Sequence, residues 1–263
     1  MSGRLFRDLQ QAVQRAVELL RRARYVTCLV GAGLSVESGI PPFRGPGGLW
    51  TKYGEPPPNE YERILADPKR YWEERLNPTG ARAELYEALR RARPNPGHHA
   101  LADLERMGVL RFTITQNVDG LERQAGCTRL VEIHGSNAFY RCIGCGARFL
   151  REEFPIREIP PSCPHCGGLV KFDVVHFGEP IPGEWLARCA EETARSDCML
   201  LVGTSGQVYP AAMYPQQIKA RGGVLIEVNP LETALTDLCD AVLRAPAGTA
   251  LPLLVQALRE ARG

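Results

Sequence analysis

Hydrophobic positions along the chain change repeatedly from a helical spacing to a strand-like one. From Leu5 to Leu20 they recur every three or four residues, which predicts an amphipathic first helix. The run from Tyr25 to Val30 is continuously apolar and rich in β-branched residues, which is typical of a strand buried on both faces. Six more strand-like runs follow, at residues 111–115, 130–133, 172–177, 198–202, 224–228 and 240–243, and helical patterns separate most of them, at residues 99–107, 184–195, 211–220 and 251–262. This alternation predicts an α/β fold in which a Rossmann-like parallel sheet carries helices on both faces.

Two stretches interrupt the alternation. Residues 50–95 are rich in Pro, Glu and Arg and show short helical patterns at 59–65, 69–76 and 82–93, so they predict a helical insertion. Residues 136–171 hold four of the nine cysteines among many glycines and prolines, and a segment that short and turn-rich cannot build a core of its own. We therefore expect a small zinc-binding domain there, and a Rossmann-like domain made of residues 1–49, 96–135 and 172–263.

Four of the cysteines have the spacing of a zinc site. Positions 146–162 separate Cys142-x2-Cys145 from Cys163-x2-Cys166, a distance along the chain that fits two turns which each offer two thiolates to one tetrahedral zinc ion. Because all four ligands are thiolates and no coordination position stays open, the zinc is predicted to be structural. The alternative is four structural thiols without a metal. His165, inside the second turn, is interpreted as a solvent-facing residue.

A glycine-rich turn directly follows the first predicted strand. Gly31, Ala32 and Gly33 stand where the phosphate-binding loop of a Rossmann fold begins a helix. The G-x-G-x-x-G fingerprint is incomplete, because Val36 occupies the position of the third glycine. The Gly- and Pro-rich stretch that continues to Trp50 favours a mobile loop over a ligand.

Composition narrows the class of protein without identifying a reaction. The chain has 263 residues, of which 44% are hydrophobic and 24% charged, values that are typical of globular proteins and exclude a disordered or fibrous chain. A formal net charge of +2 argues against nucleic-acid binding by bulk electrostatics. The longest apolar stretch, residues 26–34, is too short to span a membrane, and we expect no secretory signal at the N-terminus. Nine cysteines in such a chain indicate reduced thiols or a metal site, and so a cytoplasmic location.

Several motifs, taken in order, resemble those of the sirtuin family. They are GAGLSVESGIPPFR (residues 31–44), GLW (48–50), TQNVD (115–119), EIHG (132–135), VVHFGE (174–179), GTS (203–205) and VNP (228–230), together with the paired cysteines. The motifs follow the family's order over nearly the whole chain, from residue 25 to about residue 245. The chain is therefore identified as similar to sirtuins of the prokaryotic type.

The resemblance implies an NAD-dependent protein lysine deacylase with a large Rossmann-like domain and a small zinc domain, in which NAD and an acyl-lysine meet in the cleft between the two. By similarity, Gly31, Ala32 and Gly33 are expected to hold the dinucleotide phosphates through backbone N–H groups. The other expected cofactor residues are Ser35, Phe43, Arg44, Trp50, Gln116, Asn117, Asp119, Gly203, Thr204, Ser205, Asn229 and Ala241.

The resemblance also implies catalytic residues and a peptide site. His134 matches the family's general base, and Asn117 a catalytic residue on the ribose side. Histidine suits the task because its ordinary pKa, roughly 6.5, leaves it mostly neutral at cellular pH. In the family the acyl oxygen displaces nicotinamide from the ribose, the base activates a ribose hydroxyl, and water finally releases free lysine and O-acyl-ADP-ribose. The residues that resemble the peptide-binding strand and its partner are Val175, Phe177, Gly178, Glu179 and Val208, which predicts recognition by strand addition.

Two single positions depart from the family pattern. Glu122 stands where the family usually has histidine, and we expect it to lie away from the chemistry with little effect on it. His176 replaces the usual aromatic residue of its motif, and its alternation with Val175 and Phe177 predicts a buried or rim side chain rather than a second base.

The third departure concerns the acyl group. Sirtuins that prefer succinyl or malonyl lysine carry Tyr-x-x-Arg in the helical insertion. The nearest pairs here are Tyr71 with Arg75 and Tyr86 with Arg90, each one residue too far apart. A bidentate arginine for an acidic acyl tail is therefore not assured, and a neutral acyl group is predicted.

Alternatives to a deacetylase remain open at this point. One is a desuccinylase or demalonylase, and another is a protein mono-ADP-ribosyltransferase, which differs in its product. A zinc-ribbon nucleic-acid adaptor needs a basic stripe, whereas residues 136–171 mix glutamates with their arginines. The expected partner is an acyl-lysine protein or peptide, with no direct nucleic-acid contact, no membrane contact and a monomeric state.

Overall fold

Six parallel strands form the central sheet of the structure, a computed structural model that describes residues 3–261. A second sheet contains three antiparallel strands. The strands are β1 (Val26–Val30), β2 (Leu110–Thr115), β3 (Leu130–Glu132), β4 (Gly135–Cys142), β5 (Arg148–Leu150), β6 (Val170–Val174), β7 (Cys198–Val202), β8 (Val224–Val228) and β9 (Ala241–Leu243). The helices are α1 (Gly3–Arg22), α2 (Leu49–Tyr53), α3 (Glu60–Ala66), α4 (Pro68–Leu76), α5 (Gly80–Arg91), α6 (Pro96–Arg106), α7 (Leu121–Gln124), α8 (Gly183–Arg195), α9 (Met213–Ala220) and α10 (Ala247–Glu260).

The strand order of the large sheet is β3-β2-β1-β7-β8-β9, so the direction of the connections reverses between β1 and β7. At the carboxyl end of β1, Val30 lies beside Thr115 of β2 and Val202 of β7. In open α/β sheets, ligands bind outside the carboxyl ends of the strands at such a reversal. The fold therefore directs a binding site to the loops that follow these three strands.

Helices cover both faces of the large sheet because each buries an apolar stripe against it. On one face α1, α6 and α10 surround a core that includes Val13, Leu101 and Leu251. On the other face α8 and α9 contribute Cys189 and Ile218. The predicted α/β class, with a parallel sheet between two helical layers, is confirmed.

The small sheet, in the order β5-β4-β6, shares its core with helices of the insertion. The indole of Trp72 on α4 is fully buried against Phe172 of β6, and its N–H donates to the Val170 carbonyl oxygen at 2.9 Å. Ile64 of α3 joins the same core, whereas α5 packs against residues of the large domain. The helical insertion therefore contacts both units.

Most predicted elements are observed within a few residues of their expected ends. The strand expected at residues 172–177 is different: it spans Val170–Val174 and pairs antiparallel with β4, so its expected place in the parallel sheet is wrong. The strand ends early because Val175 donates its N–H to the His134 carbonyl oxygen at 2.9 Å, and the chain then turns at Gly178, whose φ is +81°.

The predicted domain boundaries lie close to the ends of the small sheet. This sheet begins at Gly135, the first residue of β4, and ends at Val174, the last residue of β6, and the predicted small domain is residues 136–171. The predicted Rossmann-like domain includes residues 1, 2, 262 and 263, and the last predicted helix includes residue 262. These four residues lie outside the described residues. Within residues 3–261, no helix combines the length and the apolar character needed to cross a lipid bilayer.

Candidate active site

A cleft of about 1280 Å³ opens at the carboxyl ends of β1, β2, β3, β7 and β8. Its wall comes from the large sheet, the 175–179 segment after β6, and the helical insertion. Every residue predicted for catalysis, cofactor binding or peptide binding lines this cleft, with one exception. Motifs that are scattered along the chain, from Gly31 to Asn229, are thus brought to one place.

Ala241 is the exception. It is the first residue of β9, only 7% exposed and packed in the hydrophobic core. The cleft lies at the carboxyl ends of the parallel strands, whereas Ala241 lies at the amino end of its strand, so the structure places it away from the predicted cofactor residues.

The glycine turn after β1 contacts the loop after β7. A Cβ built on Gly31 lies 2.8 Å from the Gly203 oxygen, and one built on Gly33 lies 2.6 Å from the Gly203 Cα. The N–H groups of these two glycines donate to the Val202 and Gly203 carbonyl oxygens, at 2.9 and 2.8 Å. Two of the three N–H groups expected to face a phosphate are therefore used within the protein, and glycine is needed here because two backbones approach closely.

Two amides from the loop after β2 hold this contact together. Gln116 donates through Nε2 to the Val30 carbonyl oxygen at 3.0 Å and to the Thr204 hydroxyl at 2.9 Å. Asn117 is buried and donates through Nδ2 to the Gly31 carbonyl oxygen at 3.1 Å. Both side chains are thus fixed at the base of the cleft before any ligand arrives, which limits the entropy lost on binding.

His134 lies between the two sheets, directly after β3 and before Gly135. Gly135 has φ of +82°, and a Cβ built on it lies 2.0 Å from the Asp173 carbonyl oxygen, so only glycine fits after the histidine. Nδ1 of His134 lies 3.1 Å from the Gln116 carbonyl oxygen and must carry the proton, because a carbonyl only accepts. Burial lowers the pKa of His134, so Nε2 is an unprotonated base at neutral pH.

Asn117 also donates through Nδ2 to the Ser35 hydroxyl, at 3.3 Å, and Ser35 belongs to a hydrogen-bonded set of buried polar side chains. Asn95 donates its N–H to Nδ1 of His98 at 3.2 Å, so the proton of this ring is on Nε2, 3.4 Å from the Ser35 hydroxyl. Ser35 in turn donates to Asp119 at 2.7 Å. Burial lowers the pKa of His98 to about 4 and raises that of Asp119, so this region favours neutral groups.

Glu122 lies in the same set. It is 1% exposed, it accepts a hydrogen bond from the Thr115 hydroxyl at 2.6 Å, and its carboxyl oxygen lies within 4.8 Å of ligand atoms of Asp119 and His98. Glu122 does not line the cleft but lies beside the predicted cofactor residue Asp119, so its expected small effect on the chemistry stays a prediction. Burial first, and then the neighbouring Asp119 carboxylate, raise the pKa of Glu122 to about 8.

We expect Glu122 to make the stability of the protein depend on pH. The folded protein holds its proton up to about pH 8, whereas an unfolded glutamate releases it near its ordinary pKa of 4.5, so stability falls as pH rises between these values. Asp119, Glu132, Thr115, Cys28 and Cys127 are the polar or titratable neighbours in this effect.

The measurement is the melting temperature of Glu122→Gln and wild type from pH 5 to pH 9. The neutral amide has no proton to lose, so its melting temperature should exceed that of wild type increasingly up to about pH 8, by several degrees. Glu62→Gln, at an exposed position of α3, is the control and should follow wild type. Parallel curves for Glu122→Gln and wild type would contradict the burial of an unionised acid.

An aromatic group forms one rim of the cleft. The rings of Phe43 and Trp50 lie 4.9 Å apart between centroids, and Trp50 lies 5.6 Å from Phe177. The Arg44 guanidinium stacks 4.5 Å above Trp50 and donates through Nε to Glu55 at 2.9 Å. These contacts bring the predicted cofactor loop and the predicted peptide segment together, and they exclude water from the space between them.

The predicted peptide segment is not part of a sheet, and it ends in a turn in which the Glu179 N–H donates to the His176 carbonyl oxygen at 2.9 Å. Glu179 at its end accepts from Arg141 at 2.6 Å and pairs with Lys171 at 3.0 Å, all three being buried. The Glu179 carboxylate already holds the segment on the small sheet. A contact with substrate, as predicted for Glu179, would compete with these two ion pairs. Breaking such a buried pair from one side leaves an uncompensated charge.

Four connected side chains line the insertion side of the cleft, and the sequence patterns did not indicate their connection. Arg75 donates to the Tyr86 hydroxyl at 2.7 Å and to Nε2 of His176 at 3.1 Å, and Nδ1 of His176 lies 3.2 Å from Glu60. His176 is 6% exposed, and burial lowers its pKa, which confirms a buried side chain and leaves it neutral. Arg75 and Tyr86 come from different helices, so no spacing within one helix could reveal them.

The four paired cysteines form one cluster. The Sγ atoms of Cys142 and Cys166 lie 3.5 Å apart, those of Cys145 and Cys163 lie 3.8 Å apart, and all four lie within 4.8 Å of one another. Ligands at roughly 2.3 Å from a tetrahedral zinc are separated by about 3.8 Å, so this arrangement fits one zinc ion. His165 is exposed and stacks on Phe149, as expected of a turn residue that is not a ligand.

Comparisons with known proteins agree with the motifs. The sequence model of the Sir2 family matches residues 31–210. An NAD-dependent protein deacylase of Pyrobaculum aerophilum is 43% identical over 246 residues, covering 92% of this chain and 94% of the relative. An NAD-dependent protein deacylase of Thermococcus kodakarensis is 43% identical over 255 residues, covering 93% of this chain and 95% of the relative. Among solved structures, a complex of a Sir2 homologue with NAD has a TM-score of 0.81 at 39% identity, and the match covers 95% of both chains. A Sir2–p53 peptide–NAD+ complex has a TM-score of 0.76 at 29% identity, and the match covers 95% of this chain and 98% of that one.

Proposed function

Because the chain belongs to the Sir2 family, we propose that it is an NAD-dependent protein lysine deacylase, which converts NAD, an acyl-lysine and water into nicotinamide, O-acyl-ADP-ribose and free lysine. The observation that carries the proposal is the free Nε2 of His134 in the cleft between the glycine turn and the 175–179 segment. This neutral base has the protonation state needed to take a proton from a hydroxyl at neutral pH.

NAD is proposed to lie along the carboxyl ends of β1, β7 and β8. The residues that would hold it are those of the turn at Gly31–Gly33, the amides of Gln116 and Asn117, and the loops at residues 203–205 and 229. They fit a dinucleotide because the turn has no bulky side chain and the cleft of about 1280 Å³ is pre-formed. When bound, NAD supplies the ribose that receives the acyl group as nicotinamide leaves. Asn117 holds the glycine turn at the bottom of the cleft through the Gly31 carbonyl oxygen, and His134 accepts the hydroxyl proton.

One zinc ion is proposed for the four paired cysteines. It would be held by Cys142, Cys145, Cys163 and Cys166. Its role would be to join the turn of the first cysteine pair to the turn of the second. No cysteine of the cluster lines the cleft, so none of its thiolates is proposed to act in the reaction.

The peptide is proposed to lie between the 175–179 segment and the 206–210 segment that contains Val208. Val175 already donates its N–H to His134, and the Phe177 carbonyl oxygen already accepts from Tyr61 at 3.0 Å. The His176 N–H and carbonyl oxygen are used by Glu179. The Val175 carbonyl oxygen and the Phe177 N–H are proposed to bind the extended peptide.

A neutral acyl group is the proposed preference. Both terminal nitrogens of Arg75 are engaged, by Tyr86 and His176, and the Glu60 carboxylate at the end of the same chain compensates its charge. One observation favours a second candidate, the removal of acidic acyl groups: Nε of Arg75 is buried without a hydrogen-bond partner among residues 3–261. A guanidinium with a free donor is a good partner for a carboxylate.

We expect faster turnover of an acetylated than of a succinylated version of one peptide. Under this preference Arg75→Gln changes the ratio of the two kcat/KM values by less than about threefold. If Arg75 binds an acidic tail, the same variant should lower kcat/KM for the succinylated peptide by about tenfold or more and leave the acetylated one unchanged. Arg90→Gln, which removes an exposed arginine paired with Glu87, is the matched control.

The test of the proposed function is the identity of the products. The protein is incubated with NAD and an acyl-lysine peptide, and the mixture is analysed by mass spectrometry. O-acyl-ADP-ribose with free lysine supports the deacylase. ADP-ribose attached to protein, with the acyl group still on lysine, would instead assign a mono-ADP-ribosyltransferase.

A cytoplasmic location and a monomeric state are further parts of the proposal. What supports the location is the state of the nine cysteines, all of which are free thiols in the structure, as suits a reducing compartment. Gel filtration with light scattering measures the oligomeric state directly.

A further inference from the structure

A second cavity, of about 650 Å³, opens at the amino ends of β1, β2 and β3. This is the opposite edge of the large sheet from the cleft with His134, and the residues that line the two cavities are different. Helix α8 forms one wall, and the chain just before β1 and β3 forms the others. The predicted deacylase reaction makes no use of this region.

The side chains around this cavity are unusually basic. Five arginines line it, Arg24, Arg111, Arg129, Arg188 and Arg195, and we refer to it as the arginine cavity. The lining contains a single carboxylate, Glu192. Since the whole chain has a formal net charge of only +2, this excess of positive charge is local. A concave wall of one sign concentrates the electric field and attracts ions of the opposite sign.

The single carboxylate is already occupied. Glu192 is buried, accepts from the Tyr25 hydroxyl, and pairs with Arg188 at 2.7 Å and Arg195 at 3.7 Å. The nearby carboxylates of Glu105 and Asp197 accept from backbone N–H groups of residues 128–129 and 24–25. Few carboxylate oxygens are therefore left to accept hydrogen bonds from the remaining arginines.

Three of the arginines have no acidic partner. Among residues 3–261, no carboxylate forms an ion pair with Arg24, Arg111 or Arg129. The two arginines on α8 are held by aromatic rings: Arg195 stacks 4.3 Å above Tyr25, and Arg188 lies 5.3 Å from the Phe112 ring centre. The cavity thus combines free guanidinium groups with pre-positioned ones, which lowers the entropy cost of engaging an anion.

We propose that the arginine cavity binds a small polyanion that carries two or more linked phosphate groups. Guanidinium groups match phosphate oxygens in pairs of parallel hydrogen bonds, and a linked chain of phosphates supplies enough oxygens for several arginines at once. The concave shape and the limited volume suit a compact oligophosphate. The source of the phosphates is either an inorganic oligophosphate or the phosphate chain of a nucleotide.

The experiment is calorimetric titration of the full chain with inorganic tripolyphosphate. The residues replaced below line the arginine cavity and not the active-site cleft, so their effect separates binding at the two places. We expect one equivalent to bind, with an affinity that falls as salt is added. Replacing Arg111→Gln together with Arg129→Gln should weaken binding by about tenfold or more. The matched control is Arg21→Gln with Arg22→Gln, which removes the same charge from the exposed end of α1 and should leave binding within about twofold of wild type.

A parallel titration with ATP separates the two sources. Equal binding of ATP and tripolyphosphate supports recognition through the phosphates alone, and binding of ATP without tripolyphosphate overturns it. The proposal is also overturned if wild type binds no tripolyphosphate at low salt, if the cavity variant binds like wild type, or if the control loses as much affinity as the cavity variant. Melting temperatures of both variants, and their unchanged deacylation rates, show that the fold is intact.

Discussion

Replacing His134 with alanine should slow deacylation of an acetyl-lysine peptide by about 10²–10⁴-fold, the usual contribution of a positioned general base. The imidazole is held by one hydrogen bond from Nδ1 to the Gln116 carbonyl oxygen, and its Nε2 lines the cleft. The alanine variant keeps the glycine turn and the amides of Gln116 and Asn117, so NAD should still bind. The measurements are kcat with saturating peptide and the NAD dissociation constant by calorimetry.

His99→Ala is the matched control, because His99 is an exposed histidine on α6. It should turn over peptide at the wild-type rate. In wild type, burial lowers the pKa of His134, so the rate should stay at its plateau as pH falls to the ordinary histidine pKa of 6.5 and decline only below it. An active alanine variant, or a rate that falls already above pH 7 on acidification, would remove His134 from the role of base.

Replacing one cysteine of the cluster should have the second large effect. Cys163→Ser is expected to lose the bound zinc and to lower the melting temperature by about 10 °C or more, because metal binding to such a site contributes directly to folding. Cys163 also packs in the core that Trp72, Tyr140 and Phe172 share. The loss should therefore spread to β6 and abolish deacylation. Zinc content by atomic emission and thermal unfolding are the measurements.

His165→Ala tests whether the effect belongs to the metal. His165 lies in the same turn as Cys163 and Cys166 but is exposed, and its ring stacks on Phe149. This variant should keep its zinc and its activity. Addition of a strong chelator to wild type should reproduce the Cys163→Ser result, and a chelated protein that melts like wild type would show that the cysteines need no metal.

The positions of the site residues could be predicted because short motifs fix them locally. The turn at Gly31–Gly33 and the loop after Thr115 each follow a buried strand, and the carboxyl ends of parallel strands meet at one edge of a sheet. The same rule explains why Ala241 was misplaced, since it lies at the amino end of β9. The use of two glycine N–H groups within the protein could not be predicted, because their close approach to Gly203 depends on β7, a strand that is distant in the sequence.

Contacts between separate elements were beyond the reach of sequence patterns. In the sequence, the candidate pairs of a tyrosine and an arginine are Tyr71 with Arg75 and Tyr86 with Arg90, whereas the structure joins Arg75 to Tyr86 across two helices. The surroundings of Glu122 also depend on separate elements. Its neighbours His98 and Thr115 belong to α6 and β2, and the packing of these elements buries the acid that follows Asp119 by three residues.

The small sheet was missed because its strands give no distinct signal. The apolar run around Phe172 is buried on one side by β4 and on the other by Trp72 and Tyr71, so it has the same pattern as a strand in the middle of a parallel sheet. Strand β5, Arg148–Leu150, is too short for an alternating pattern to be recognised.

The hydrogen bond from the Val175 N–H to the His134 carbonyl oxygen has a consequence for how this architecture tolerates change. The chain departs from the large sheet at His134 and returns to it at Val175, so the detour through residues 135–174 is closed at one point. Insertions or deletions far out on the detour, at residues 151–161 between β5 and the second cysteine pair, leave both ends in register. Such length variants provide a way to reshape the outer surface of the protein while the imidazole stays where it is.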